Sequence, residues 1–174
     1  MMERSYFLAH GESETKVREF FTKRQAAIIA ANDMAKEVGG TGTVGAYRVS
    51  GILFKDGPPE GWTQKGTSTD GQRYYMPLRR SKAGKALCQR IAAIRIPAAS
   101  DLHSEFSTDG GHMASAGLGI TINYISAEMV RGKAIISVPN GMDFVPPDST
   151  PLKMSEYWAI KEAPLPSQPT GGAV

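Results

Sequence analysis

The chain has 174 residues and a formal net charge of +3, with 41% hydrophobic and 21% charged residues. These values are near the averages of globular domains, and a chain of this size folds without a metal or disulfide. No apolar run reaches the roughly 18 to 20 residues of a membrane-spanning helix, which excludes an integral membrane protein. Cys88 is the single cysteine, and residues 1–12 lack the apolar segment of a signal peptide, so we expect a cytoplasmic protein.

The first half of the chain is predicted to form strands around one long helix. Apolar residues at helical spacing between two glutamates and a Gly-Gly pair predict that helix. Strands are predicted where helical spacing is lacking and β-branched and aromatic residues are frequent. The elements are a strand at 4–9, a helix that Ser13 caps and that ends at Gly39-Gly40, one long strand at 43–55, a polar loop at 56–71 that holds Trp62, and a strand at 72–78.

The second half is predicted to begin with a shorter helix and to continue mainly as strands. Ser81 is a suitable N-cap for that helix, and Pro97 follows its apolar pattern. The elements are the helix at 82–94, an irregular polar stretch at 98–117, a strand at 118–125, a helical turn or loop at 126–132, and strands at 133–139 and 154–162.

The order of these elements predicts an α+β fold. Strands and helices do not alternate regularly, so a doubly wound parallel sheet is not expected. We expect a mixed, mainly antiparallel sheet with the long N-terminal helix and the shorter helix on one face. Residues 1–163 are predicted to form a single domain, and the Pro/Gly-rich residues 164–174 a flexible tail.

A basic and aromatic stretch is the first candidate site. No acidic residue occurs between Asp70 and Asp101, whereas seven Lys or Arg residues do. Exposed amides at the start of the second helix would favour an anion, and nearby aromatic rings would stack on a base. The candidate ligand-binding residues are Arg79, Arg80, Lys82, Lys85, Tyr74, Tyr75 and Trp62. A solvated helix face is the alternative interpretation.

An acidic, histidine-containing segment is the second candidate site. Imidazoles and carboxylates can ligate a divalent metal or act as general acid and base. In this alternative His103, Glu105 and His112 would be catalytic, and Asp101, His103, Asp109 and His112 would bind a metal. The spacing matches no metal signature, so a polar surface loop is the competing interpretation.

Two segments, MERSYFLAHGE at 2–12 and YYMPLRRSKAGKAL at 74–87, resemble the small accessory proteins of tailed phages and prophages. The resemblance lies in general style and size, and no functional residue is carried over from it. It implies a cytoplasmic protein of an infected bacterium that binds a host enzyme, a defence component or a signalling nucleotide.

Two hypotheses about function follow. The first is a non-enzymatic binding protein whose basic and aromatic surface engages a nucleotide, a nucleic acid or an acidic host protein. The second is a small hydrolase or nucleotide-processing enzyme that uses the segment 101–112. A structural or assembly role and an oligomer stay open. No cofactor and no membrane partner are expected.

Overall fold

The computed structural model describes residues 3–116 and 119–163. In chain order the elements are β1 (Arg4–Ala9), α1 (Gly11–Glu37), β2 (Thr41–Val44), β3 (Val49–Leu53), β4 (Trp62–Thr67), β5 (Arg73–Pro77), α2 (Lys82–Ala93), α3 (Ala99–Phe106), β6 (His112–Ala116), β7 (Gly119–Asn123), β8 (Ser126–Val130), β9 (Lys133–Pro139), β10 (Ser149–Leu152) and α4 (Met154–Glu162). Each pair of neighbouring strands in the described residues is antiparallel. The predicted α+β class with its long N-terminal helix is confirmed, although the strands form separate sheets instead of one.

The chain divides into two compact units. Unit 1 contains the described residues up to Glu19 and from Ala99 onward, and unit 2 contains Phe20–Ala98. The division therefore falls inside α1. The single domain expected over 1–163 stays a prediction, and the tail expected at 164–174 lies outside the described residues.

Unit 1 is built on a four-stranded sheet with the order β10-β1-β9-β8 and on the β6–β7 hairpin. The central strand β9 has Ala134, Ile135, Ile136 and Val138 buried, so apolar residues follow one another without alternation. Such a run is expected for a strand that is covered on both faces. The strands predicted at 4–9 and 133–139 are confirmed.

Helix α1 begins differently from the prediction. It starts at Gly11, and the side chain of Asp148 accepts a hydrogen bond from the Glu12 amide at 3.2 Å. Ser13 is fully buried inside the first turn, where its hydroxyl donates to the Pro147 carbonyl. The prediction that Ser13 caps the helix is wrong, because a residue distant in sequence supplies the capping oxygen.

Four further predictions in unit 1 are wrong or incomplete. The irregular stretch expected at 98–117 contains α3 and strand β6, and the turn or loop expected at 126–132 contains strand β8. The strand predicted at 118–125 is present from Gly119 to Asn123 as β7, and Leu118 lies outside the described residues. The strand predicted at 154–162 is helix α4, whose N-terminus is closed by the Glu156 carboxylate accepting from the Lys153 amide at 2.9 Å.

Unit 2 contains a four-stranded sheet with the order β2-β3-β5-β4. The long strand predicted at 43–55 is a hairpin, because the Gly45 amide donates to the Arg48 carbonyl at 2.8 Å and reverses the chain. The loop predicted at 56–71 likewise contains β4, which pairs with the confirmed strand β5. Helix-spaced residues Ala31, Met34 and Ala35 pack with Ile52 and other apolar side chains as the core.

Candidate anion-binding pocket

A pocket with a volume of about 670 Å³ lies within unit 2. Strands β3, β4 and β5, the loop between β5 and α2, and the C-terminal half of α2 contribute to it. The lining residues are Tyr47, Arg48, Val49, Ser50, Lys65, Tyr74, Met76, Arg79, Cys88, Ile91, Ala92, Ile94 and Arg95. Its volume is in the range of roughly 300–1,000 Å³ that is typical of small-molecule sites.

The charged residues that line the pocket are all cationic. They are Arg48, Lys65, Arg79 and Arg95, each from a different segment of unit 2. The first three form no ion pair with a carboxylate of the residues that the structure describes. Three exposed cationic residues that line one pocket, with no carboxylate partner among the described residues, create a positive field that favours an anion there.

Lys65 lies at a β-bulge in β4. Gln64 pairs with Tyr75 and Gly66 pairs with Tyr74, so Lys65 is an extra residue without a partner in β5. Thr63 pairs with Met76, which lines the pocket, and Lys65 is two positions further along the strand. Alternation along β4 therefore places Lys65 on the face of the sheet that lines the pocket.

Two of the arginines face each other across a backbone bridge. Arg48 and Arg95 form an isolated antiparallel bridge, and the Ile96 amide donates to the Tyr47 carbonyl at 3.0 Å. The bridge therefore holds the backbone of the β2–β3 turn, which carries Arg48, beside the segment after α2, which carries Arg95.

Tyr74 is held in the pocket wall by two glycines on neighbouring strands. A Cβ on Gly66 would lie 2.3 Å from the Tyr74 hydroxyl oxygen, and a Cβ on Gly51 would lie 2.8 Å from its Cδ2 atom. The ring therefore occupies space that any larger side chain at either position would need. This packing restricts the ring orientation before a ligand binds.

Tyr47 is the more exposed aromatic residue of the pocket. The residue is 54% exposed, so its ring is accessible to solvent. The Arg48 guanidinium lies 5.5 Å from the centre of its ring, within the range of a cation–π contact. The pair presents a flat ring and a positive charge side by side.

The structure brings two of the seven predicted ligand-binding residues, Tyr74 and Arg79, into the pocket. Tyr75 and Trp62 are not part of its lining. Their rings lie 6.1 Å and 4.9 Å from that of Phe54, between ring centres, and Trp62 packs against the core. Adjacent residues of a strand point to opposite faces, so Tyr74 and Tyr75 do not share the pocket.

The start of α2 lies outside the pocket. Ser81 is confirmed as the N-cap, and its hydroxyl accepts from the Gly84 amide at 2.9 Å. Arg80, Lys82 and Lys85 are exposed and do not line the pocket. Because the C-terminal half of α2 carries the negative end of the helix dipole, the attraction for an anion comes from side chains.

The second candidate segment, 101–112, is largely structural around His103. The Ile125 amide donates to Nδ1 at 3.0 Å, so Nε2 carries the proton and donates to the Asp109 carbonyl at 2.7 Å. The ring is only 1% exposed, and both nitrogens are occupied. This arrangement leaves His103 no nitrogen for a metal or for proton transfer with a substrate.

The remaining residues of that segment are spread over three elements. Asp101 and Glu105 are on α3 with His103, Asp109 is in the following loop, and His112 begins β6. His103 and Glu105, two positions apart on a helix, do not share a face. Within residues 3–116 and 119–163, no group of three or more His, Cys, Asp or Glu side chains could hold a metal.

The ligand-binding residues predicted from sequence do not include Tyr47, Arg48, Lys65 and Arg95, which line the pocket. Arg95 belongs to the acid-free basic stretch that is predicted as the binding surface, but it is not among the residues predicted to contact the ligand. Tyr47 and Arg48 were assigned to the middle of a strand that is in fact a hairpin. Lys65 was assigned to a loop. A turn signal at Gly45 was the available clue.

Comparison with protein-family models, with curated proteins and with solved structures yields no match to this chain. The resemblance to phage accessory proteins therefore stays a prediction. No helix of the described residues is both long and apolar enough to cross a membrane.

Proposed function

We propose that this chain is a non-enzymatic binding protein and that the pocket of unit 2 binds a phosphate-bearing ligand. The observation that carries the proposal is the charge of the lining: Arg48, Lys65 and Arg79 face the pocket without a described carboxylate partner. Arginine forks match phosphate oxygens in a bidentate geometry, and lysine adds a point charge.

The shape of the site favours a small ligand over an acidic protein surface. The cations line a concave space of about 670 Å³ together with apolar and aromatic side chains. A protein partner is usually bound on a wider surface of roughly 800 Å² per partner. A small anion can enter this concave space and reach Arg48, Lys65 or Arg79, whereas a flat acidic surface cannot enter it.

The competing hypothesis of a hydrolase at 101–112 has less support. An acid–base catalyst must have a nitrogen or oxygen within hydrogen-bond reach of the substrate. His103 is buried and uses both nitrogens within the fold. The remaining candidates lie on different elements, Glu105 on α3 and His112 at the start of β6.

The proposal is tested by titrating the full chain with inorganic pyrophosphate in an isothermal calorimeter. The double variant Arg48→Ala with Arg79→Ala should weaken binding about tenfold or more, because a hydrogen bond to a charged group contributes about 1.5–3 kcal/mol. The matched control is Arg80→Ala with Lys82→Ala, which removes the same charge from residues outside the pocket.

We expect the control to change the dissociation constant less than threefold and the wild-type affinity to fall as salt is added. Equal losses in the two double variants would contradict the pocket and support the basic patch predicted from sequence. Failure of the wild-type chain to bind pyrophosphate or any nucleotide would overturn the proposal.

A further inference from the structure

Resting on the proposed function, we propose that the phosphate-bearing ligand is a nucleoside phosphate, whose base packs on the pocket tyrosines. The same pocket combines a cationic side with a ring-binding side. A nucleoside phosphate has both an anionic group for the cationic side and a flat aromatic base for the ring-binding side.

The uncharged part of the lining fits a flat ring better than a sugar. Apart from the four cations and Ser50, its residues are apolar, aromatic or the buried thiol of Cys88. The Cys88 thiol is already directed at the Pro77 carbonyl, at 3.3 Å. A sugar phosphate has no flat ring that could pack on these side chains, whereas the base of a nucleoside phosphate is such a ring.

The two tyrosines supply the surface on which a base would stack. Tyr47 is 54% exposed, and its ring is available to solvent in the described chain. The Tyr74 ring packs closely against Gly51 and Gly66, in the space that a side chain at either position would occupy. A ring that is oriented before binding loses little entropy when a ligand stacks on it, which raises affinity.

A free nucleotide fits the site better than a nucleic acid strand. Proteins that bind single strands place successive aromatic residues along a basic groove. Here both tyrosines line one pocket, and the exposed cations Arg80, Lys82 and Lys85 are outside its lining. The net charge of +3 is also small for a protein that tracks a phosphate backbone.

The test compares ADP, GDP, CDP and UDP with pyrophosphate and ribose 5-phosphate by calorimetry on the full chain. At least one nucleoside diphosphate should bind about tenfold more tightly than pyrophosphate, because stacking of one base contributes on this order. Tyr47→Ala should reduce that affinity to within threefold of pyrophosphate, and Tyr47→Phe should retain it. Trp158→Ala removes an exposed aromatic residue of unit 1 and should have no effect.

The outcomes separate this inference from the proposed function. If pyrophosphate binding depends on Arg48 and Arg79 but no nucleoside diphosphate binds more tightly, the nucleotide inference is overturned and the proposed function stands. Tighter binding of a ten-residue oligonucleotide than of every diphosphate, with the same dependence on Tyr47, would also overturn it. If pyrophosphate and all four diphosphates fail to bind, both proposals are wrong.

Discussion

The contact between Gly66 and Tyr74 provides a quantitative test of how the pocket wall is built. An alanine Cβ at Gly66 would lie 2.3 Å from the hydroxyl oxygen and 2.5 Å from Cζ of the Tyr74 ring. Carbon atoms pack at about 3.5–4.0 Å, so the ring has to rotate away. Gly66 does not have a positive φ, so alanine itself is tolerated by the backbone. We expect Gly66→Ala to destabilise unit 2 by about 1–3 kcal/mol, the usual cost of overpacking.

The measurement is urea unfolding followed by the fluorescence of Trp62, which lies in the same strand as Gly66. A Trp158→Phe background leaves Trp62 as the single tryptophan, so the signal reports on unit 2. Tyr74→Ala and the double variant complete the cycle. Because the clash requires the ring, Gly66→Ala should cost almost nothing once Tyr74 is alanine.

The coupling energy between the two substitutions should therefore be as large as the cost of Gly66→Ala alone. A loss in the free energy of unfolding below about 0.5 kcal/mol for Gly66→Ala would refute the reasoning, because losses of that size are ordinary at unconstrained surface positions. An equal loss with and without the Tyr74 ring would refute it as well. Either result would mean that the orientation of the Tyr74 ring does not depend on its close packing against Gly66.

Two further predictions concern unit 1. His103→Leu should destabilise the protein by about 1–3 kcal/mol in thermal or urea unfolding, because it leaves the buried Ile125 amide and the Asp109 carbonyl without their partner; an unchanged midpoint would contradict this. Burial, and then the hydrogen bond to the Glu128 carboxylate, raise the pKa of Tyr157 above 10.0, so its proton is held more tightly in the folded state. The protonated Tyr157 hydroxyl therefore contributes stability that is present below pH 10.0 and is lost as the pH rises through the folded-state pKa. Above pH 10.0 the urea midpoint of Tyr157→Phe should decline less steeply with pH than that of the wild type. Parallel declines in the two proteins would contradict the assignment.

The elements that could be predicted are those with a strong local signal. Ser81 was recognised as an N-cap because a hydroxyl in front of an apolar helical pattern can close the first turn without distant partners. The strands at 4–9, 72–78 and 133–139 and the long helix α1 were found for the same reason. The composition or spacing that predicts each of them is contained within its own segment, and the α+β class follows from their order.

The elements that were mispredicted depend on distant parts of the chain. Helix α4 was predicted as a strand because aromatic residues favour strands. In the fold its Tyr157 stacks on Tyr6 of β1 with ring centres 3.8 Å apart, and Glu156 closes the N-terminus. Ser13 was similarly replaced as the cap of α1 by Asp148, more than 130 positions away.

The sequence alone determined the fold class, the local limits of several elements and the acid-free basic stretch that contains Arg79 and Arg95. Only the tertiary structure decided which cations meet. Arg48 reaches the pocket through a hairpin turn, and Lys65 reaches it through the pairing of β4 with β5. Alternation along a strand tells which residues share a face, but the face that lines a pocket depends on how strands and helices pack. That packing is a property of long-range contacts, which no local pattern records.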